Sequence, residues 1–291
     1  MKKIFITGAN GQLGTELNRL LTKDPQVELL NTSVTSKEDK NIIAMDITNL
    51  SKTREVILRF KPDYIINCAA FTAVDLCEKE QEKAYEINGI GPKNLSVLAK
   101  EISAVLLQIS TDYVFDGNHS IPYTEENSLN PQNVYGKTKL AGEKFVEEIC
   151  DKYFIIRTAW LYGEGKNFVK TMLKLSKTQK EVTVVSDQFG TPTSAKELAK
   201  MILYLMETNH YGVYHGTCEG STCWADFAKE IFKQVGKDTK VIPVTTKEYP
   251  TIAKRPAYSV LENKKLKEIG GFSMKEWKEA LNEYLKDIIL D

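Results

Sequence analysis

The chain has 291 residues, enough to bury a large core in one domain or in two unequal ones. Its 39 basic and 39 acidic residues cancel, which disfavours nucleic-acid binding driven by neutralisation of phosphates. The N-terminal apolar run is too short for a signal peptide, and no apolar run reaches the length of a membrane span. We therefore expect a globular protein that works without nucleic acid or membrane.

Cysteine and histidine usage argues against disulfides and against a metal site. The five cysteines are odd in number and include no CxxC pair, and the three histidines lack metal-ligand spacing. This usage is typical of a reducing compartment, so we expect a cytoplasmic protein without a bound metal.

Strand-like and helix-like segments alternate along most of the chain. The predicted strands are residues 3–7, 28–32, 42–46, 64–70, 104–111, 154–160, 182–186 and 212–216. The predicted helices are residues 12–21, 51–60, 78–102, 135–149, 194–206 and 274–288. Several strands are apolar throughout rather than alternating, as expected for strands that are covered on both faces.

This alternation implies right-handed βαβ units, and so an α/β fold with a doubly wound parallel sheet of the Rossmann type. After about residue 160 the alternation loosens, and loops rich in glycine, proline and aromatic residues appear. We expect a dinucleotide-binding domain over residues 1–160, to which residues 194–217 return. A smaller, interleaved substrate-binding region should cover residues 161–193 and 218–291.

The first predicted strand leads directly into a glycine-rich turn, TGANGQLG. Gly8, Gly11 and Gly14 have the spacing GxxGxxG, and Gln12 and Leu13 open the next helix. Glycines permit a tight turn and a close backbone approach to a pyrophosphate, which the N–H groups at the helix N-terminus attract. The turn predicts a dinucleotide site; the alternative is an ordinary glycine-rich turn.

The ends of the second and third strands bear on which dinucleotide binds. NAD sites usually have an acid after the second strand, which holds the ribose 2′-hydroxyl. Residues 31–33 are instead the neutral Asn-Thr-Ser, with Lys37 in the next loop, so NADPH is slightly favoured over NADH. Asp46 is expected to bond the adenine amine and Ile47 to cover the ring, unless Asp46 only caps the following loop or helix.

The fourth strand ends in NCAAFTAVD. The small Ala69 and Ala70 would let the cofactor pass close to the backbone, and Phe71 and Thr72 would line its site. The alternative is that these are simply small core residues.

The fifth strand ends in ISTDYVFDG. Ser110, Thr111 and Asp112 then lie at the carboxyl edge of the sheet, where open α/β folds bind ligands. A hydroxyl that only caps its own turn is the alternative.

Two tyrosines precede a lysine by four residues, a spacing that puts both side chains on one face of a helix. Tyr162 and Lys166 have two glycines between them and so lie in a loop, whereas Tyr135 and Lys139 begin a good helix. That helix follows the loop that leaves Thr111. We therefore predict that Thr111, Tyr135 and Lys139 converge beside a nicotinamide, with Lys139 lowering the pKa of the phenol.

Seven motifs in order resemble those of the extended short-chain dehydrogenase/reductases, and within them the dTDP-4-dehydrorhamnose reductase family. They are TGANGQLG, NCAAFTAVD, ISTDYVFDG, NVYGKTKLAGE, RTAWLYG, NFVKTM and DQFGTPTS. The likeness runs from residue 3 to about residue 285. TAWLYG, DQFGTPT and KRPAYSVL in the second half separate the chain from the epimerases and dehydratases of the superfamily.

The resemblance implies roles for individual residues. Thr111, Tyr135 and Lys139 would form the catalytic group, and Lys139 and Tyr135 would also contact the cofactor. Asp112 and Trp160 would hold the substrate sugar, although Trp160 could instead be a core residue. Three further sites are expected to shape the sugar-nucleotide pocket or to bind its diphosphate: Asp187 and Gln188, the turn at residues 190–193, and Arg255.

Two departures from the family pattern stand out. The acid after the second strand is missing, which leaves the choice between NADH and NADPH open. Some family members form a homodimer through carboxylate-bound magnesium, and Glu16 matches one ligand, but a second position holds Lys196, which would repel the ion. We therefore expect no metal, and a homodimer stays open.

The function that the resemblance implies is NAD(P)H-dependent reduction of the 4-keto group of dTDP-4-dehydro-L-rhamnose to dTDP-L-rhamnose, the last step of dTDP-rhamnose biosynthesis. Two alternatives remain. The chain could be another nucleotide-sugar reductase or epimerase of the superfamily, or a non-catalytic regulatory subunit of the kind that binds methionine adenosyltransferase.

Overall fold

The computed structural model of the chain describes residues 1–35 and 41–290. Within these ranges it has thirteen strands: β1 (Lys2–Thr7), β2 (Val27–Ser33), β3 (Ile42–Ala44), β4 (Tyr64–Asn67), β5 (Val105–Thr111), β6 (Tyr153–Thr158), β7 (Leu161–Tyr162), β8 (Glu181–Val185), β9 (Phe189–Gly190), β10 (Thr193–Ser194), β11 (Gly212–His215), β12 (Thr222–Cys223) and β13 (Lys240–Val244). The same ranges contain eleven α-helices: α1 (Gln12–Leu21), α2 (Leu50–Phe60), α3 (Val74–Lys79), α4 (Gln81–Tyr85), α5 (Gly91–Ile102), α6 (Val134–Ile149), α7 (Phe168–Leu175), α8 (Ala195–Met206), α9 (Trp224–Gln234), α10 (Lys264–Ile269) and α11 (Trp277–Leu290).

Seven of the strands form one parallel sheet in the order β3-β2-β1-β4-β5-β6-β11. Apolar side chains cover both of its faces: one core includes Leu17 of α1 and Leu198 of α8, and the other includes Leu98 of α5 and Val146 of α6. The strand order reverses between β1 and β4, which is where ligands bind in such sheets. The predicted doubly wound α/β fold is therefore confirmed.

The segment around residues 194–217 packs on the main sheet. Strand β11 pairs in parallel with β6, Gly212 lying opposite Phe154, and so extends the sheet at one edge. Helix α8 buries Leu198 and Leu205 in the same core as Leu17 of α1. This packing agrees with a return of the chain to the first domain, although the exact domain boundaries stay a prediction.

A second core lies outside the main sheet. Helices α7, α9 and α11 pack against the two-stranded sheet of β8 and β13, and they bury Val184, Phe227 and Trp277 together. The sequence predicted β8 and α11 in this region but not α7, α9 or β13. Helices α7 and α9 have a clear apolar face but are only 8 and 11 residues long, and such short segments are easily passed over.

The helix predicted over residues 78–102 is wrong as a single element. Helix α3 ends at Lys79, α4 follows, and a π-helical turn at Glu86–Ile90 precedes α5. This turn carries Asn88, whose side chain accepts from the backbone N–H of Phe71 at 2.8 Å and donates to the Thr138 hydroxyl at 3.2 Å. Single π-helical turns are frequent at functional sites, and this one ties the loop after β4 to α6.

Candidate active site

The glycine-rich turn joins β1 to α1 in a space that has no room for side chains. Gly8 has a φ of +61°, and a Cβ there would lie 2.7 Å from the backbone nitrogen of Ala69. A Cβ on Gly14 would lie 2.5 Å from the carbonyl oxygen of Gly8. Both positions therefore require glycine, and they bring the N-terminus of α1 close to the end of β4.

A cleft of about 540 Å³ opens at the carboxyl ends of the parallel strands, beside this turn. It brings together eleven of the residues that the sequence predicted: Gly11, Gln12, Leu13, Gly14, Ala70, Thr72, Thr111, Asp112, Tyr135, Lys139 and Trp160. Gly8, Asp46, Ile47, Ala69, Phe71 and Arg255 do not line it. Sequence reasoning missed ten lining residues: Cys68, Val74, Ile109, Tyr113, Thr158, Ala159, Leu161, Lys166, Asn167 and Trp224.

Tyr135 sits in the first turn of α6, which Asn133 caps by accepting from the N–H of Gly136 at 2.8 Å. The hydroxyl of Thr111 lies in the same cleft as the phenol of Tyr135 and donates to Asp112 Oδ1 at 2.9 Å. Burial raises the pKa of Tyr135 well above its ordinary value, and the nearby hydroxyl of Thr111 only partly opposes this rise. The phenol therefore keeps its proton at neutral pH.

Lys139 lies one turn further along α6 and is 4% exposed. Its ammonium donates to the carbonyl oxygen of Ile109 at 2.5 Å. Burial lowers the pKa of Lys139 to about 8, while the carboxylate of Glu143 raises it. The prediction that Lys139 lowers the pKa of Tyr135 is not met: burial raises this pKa, and the nearby Asp112 raises it further.

Asp112 is buried beside the reactive hydroxyls. Burial raises its pKa to about 6, and the hydrogen bond that its Oδ1 accepts from Thr111 partly opposes this rise. An acid of this pKa is poised to change its charge in the neutral range, a property common in functional sites.

Trp160 forms part of the wall of the cleft. Its backbone has a φ of +47°, rare for a large residue, and its indole stacks on that of Trp224 with ring centroids 3.5 Å apart. A Cβ on Gly190 would lie 2.5 Å from the Trp160 ring. Trp160 is thus held by a close stack and by a glycine, and is not a buried core residue as the alternative had it.

Asp46 and Ile47 have local roles. Asp46 is exposed and accepts from the backbone N–H of Thr48 at 2.9 Å, which matches the alternative that it caps a loop. Ile47 is 3% exposed and packs on Gly91, where an added Cβ would lie 2.4 Å from Ile47 Cδ1. Their predicted contacts with an adenine stay untested predictions.

Arg255 lies next to the cleft rather than in it. Its guanidinium donates to Asp75 Oδ2 at 2.9 Å, and it borders a small cavity of about 80 Å³ that shares Tyr113 with the cleft. Asp187 and Gln188, also predicted for the pocket, instead bond the backbone and the hydroxyl of Thr246.

The end of β2 lies beside the glycine-rich turn. Thr32 is fully buried and donates to the carbonyl oxygen of Ile6 at 3.2 Å. Ser33 donates to Asn10 Oδ1 at 2.8 Å, beside the glycine-rich turn. Lys37 lies outside the described residues.

The two positions considered for a magnesium bridge are each paired within the chain. Glu16 accepts from Arg19 at 2.8 Å, and Lys196 donates to Asp287 at 3.0 Å. Among the described residues there is no cluster of three or more histidine, cysteine, aspartate or glutamate side chains that could hold a metal ion.

The chain was compared with known proteins. The sequence family described as RmlD substrate binding domain matches residues 1–289. The chain belongs to this family. The spore coat polysaccharide biosynthesis protein SpsK of Bacillus subtilis is 43% identical, with coverage of 99% of this chain and 98% of that protein.

Solved structures of the RmlD family agree with this assignment. The crystal structure of a dTDP-4-dehydrorhamnose reductase from Clostridium acetobutylicum is 51% identical, with a TM-score of 0.93 over 99% of this chain and 100% of that one. The crystal structure of the Bacillus anthracis dTDP-4-dehydrorhamnose reductase, in complex with NADP, is 42% identical, with a TM-score of 0.92 over 99% and 100%. In the described part of the chain, no helix combines the length and the apolar character that crossing a membrane requires.

Proposed function

We propose that this chain is an NAD(P)H-dependent oxidoreductase that reduces the 4-keto group of dTDP-4-dehydro-L-rhamnose and forms dTDP-L-rhamnose, the last step of dTDP-rhamnose biosynthesis. The observation that carries the proposal is a single cleft in which a protonated phenol, a hydroxyl and an ammonium face the glycine-rich turn. Membership of the RmlD family, and full-length relatives named dTDP-4-dehydrorhamnose reductase, support the choice of substrate.

The residues around the turn fit a nicotinamide dinucleotide. Gly8 and Gly14 leave no space for side chains and bring the N–H groups of α1 to the cleft, as pyrophosphate binding requires. Ala70, Thr72 and Lys139 line the wall that the nicotinamide half would contact. When bound, the reduced cofactor supplies the hydride, and the protein supplies position and electrostatics.

Tyr135 is the proposed general acid. Its phenol keeps its proton at neutral pH and donates it to the substrate oxygen as that oxygen gains charge. Thr111, which lines the cleft with Tyr135, would contact the same oxygen and orient the carbonyl. The ammonium of Lys139 would hold the ribose hydroxyls of the cofactor and stabilise negative charge on the phenol once the proton has left.

The remaining roles concern the sugar nucleotide and the cofactor. Trp160 and Asp112, which line the cleft with Thr111, are proposed to hold the sugar ring, and Arg255 a phosphate at the neighbouring cavity. Because no acid ends β2, NADPH should be used at least as well as NADH.

Two further expectations concern the assembly and the compartment. The sequence leaves a homodimer open, and light scattering tests it by giving the molar mass in solution. All five cysteines lie within the described residues as free thiols, which supports a cytoplasmic location.

The deciding experiment is turnover of purified protein with dTDP-4-dehydro-L-rhamnose and NADPH or NADH. We expect loss of the reduced-nicotinamide absorbance and formation of dTDP-L-rhamnose. Formation of an epimer without net oxidation of the cofactor would identify an epimerase. Cofactor binding without turnover of this or other 4-keto nucleotide sugars would favour a non-catalytic regulatory subunit.

A further inference from the structure

A buried carboxylate lies behind the proposed catalytic group. Glu143 is 1% exposed and sits on α6 one turn after Lys139. It accepts from Arg157 Nε at 3.1 Å and Nη2 at 2.7 Å, and also from the hydroxyl of Ser110.

The partners of Glu143 come from two neighbouring strands. Ser110 on β5 lies opposite Arg157 on β6, and the next pair in the register is Thr111 and Thr158, which both line the cleft. One carboxylate therefore connects the ends of β5 and β6 to the helix that carries Tyr135 and Lys139. A shift of any of these elements would stretch its hydrogen bonds.

We propose, on the basis of the proposed function, that Glu143 is a positioning residue: it fixes α6 against the ends of β5 and β6, and its negative charge balances the buried ammonium of Lys139. It lines no part of the cleft, so it acts on the reaction through Lys139 and through the strand ends.

The charges around Lys139 support this role. Its ammonium bonds to an uncharged partner, the carbonyl of Ile109, and is almost fully buried. Burial lowers the pKa of Lys139. Glu143 on α6 and the thiol of Cys68 after β4 raise this pKa. Burial also raises the pKa of Cys68 to about 12, so this thiol is uncharged at neutral pH and Glu143 supplies the compensating charge.

Other titratable groups near the site act elsewhere. Tyr135 on α6 stays protonated, and Asp112 after β5 interacts with Thr111 and Ser259. Arg157 on β6 directs two nitrogens at Glu143, and its guanidinium lies over the ring of Phe115 at 5.4 Å. Of these groups, only Arg157 loses a charged partner when Glu143 is replaced.

The test is the pH profile of Glu143→Gln. Removing the carboxylate lowers the pKa of Lys139 further, so the lysine loses its proton at a lower pH. We expect the alkaline limb of kcat/KM for NADPH, and of NADPH binding measured by fluorescence, to move to lower pH by about one unit or more. Glu147→Gln, an exposed glutamate one turn further along α6, is the matched control and should leave both limbs in place.

A second variant covers the case in which Glu143→Gln leaves Arg157 unpaired and does not fold. Glu143→Gln with Arg157→Gln removes both buried charges and should still move the alkaline limb to lower pH, because the carboxylate one turn from Lys139 is gone in both variants. An unshifted alkaline limb in the folded variant, even with lower overall activity, would leave Glu143 a purely structural role and overturn the proposal. Wild-type protein that neither binds NADPH nor reduces the sugar would instead refute the proposed function.

Discussion

Replacing Tyr135 with phenylalanine tests the proposed chemistry most directly. The change removes only the phenol oxygen, and Thr111 keeps its bond to Asp112, so the cost in folding free energy should be about 1 kcal/mol or less. Loss of a general acid should lower kcat by about 10²–10⁴-fold, which corresponds to about 3–5 kcal/mol on the activation barrier. The measurements are kcat with dTDP-4-dehydro-L-rhamnose, Kd for NADPH and Tm; only kcat should change strongly.

Tyr162→Phe is the matched control, because Tyr162 is also buried and also precedes a lysine by four residues. Within the described residues its hydroxyl has no hydrogen-bond partner, so its removal should leave kcat near the wild-type value and should not lower Tm. The reasoning about Tyr135 is refuted if Tyr135→Phe retains a kcat within tenfold of the wild type, or if both variants lose activity equally.

Three further substitutions test the cation, the cleft wall and the cofactor preference. Lys139→Met should weaken NADPH binding. It should also remove the loss of NADPH binding at alkaline pH that the Lys139 pKa of about 8 implies, as measured by the pH dependence of Kd. A change confined to the KM of the sugar would instead make Lys139 a substrate contact. Gly190→Ala places a Cβ 2.5 Å from the ring of Trp160, so the KM of the sugar nucleotide should rise while Kd for NADPH stays constant. Ser33, at the end of β2, bonds Asn10. Ser33→Asp should raise kcat/KM for NADH relative to NADPH, because its carboxylate repels a 2′-phosphate. An unchanged ratio of the two kcat/KM values would mean that other residues discriminate between the cofactors.

The parts of the fold that the sequence predicted well are those whose signals are local. The strands of the main sheet are buried apolar runs, and each lies within a few residues of its predicted position. Helix α1 was predicted with its observed bounds, since the glycine-rich turn marks its start and Leu17 and Leu21 repeat its apolar face. The position of the cleft could be predicted from the same local signals, because the carboxyl ends of parallel strands meet at one edge of the sheet.

What the sequence could not predict depends on contacts between distant segments. The π-helical turn at Glu86–Ile90 has no signature in the local composition. Asn88 in this turn bonds to the loop after β4 and to α6, and these segments are far apart in the chain. Trp224 reaches the cleft from α9 in the second core, and nothing in its neighbourhood in the sequence indicates that Trp160 stacks on it.

Electrostatics was also hard to predict, because burial was unknown. A nearby lysine lowers the pKa of a tyrosine, but burial raises it, and the sequence shows only the first effect. In the structure, burial raises the pKa of Tyr135 and lowers that of Lys139, so both neutral forms are favoured. The sequence also does not show that Thr32, at the end of β2, is fully buried and donates to the carbonyl of Ile6.

The two Tyr–Lys pairs of the chain show why four-residue spacing carries no chemistry by itself. Tyr162 packs into the second core, while Lys166 is an exposed residue on the cleft, so the two side chains serve different surroundings. Tyr135 and Lys139 share α6, where reduction requires the phenol to keep its proton and the lysine its charge. Burial favours the protonated phenol of Tyr135 and disfavours the charged ammonium of Lys139. Glu143 offsets that opposition, so α6 carries the acid, the cation and the counter-ion at successive four-residue steps along one face.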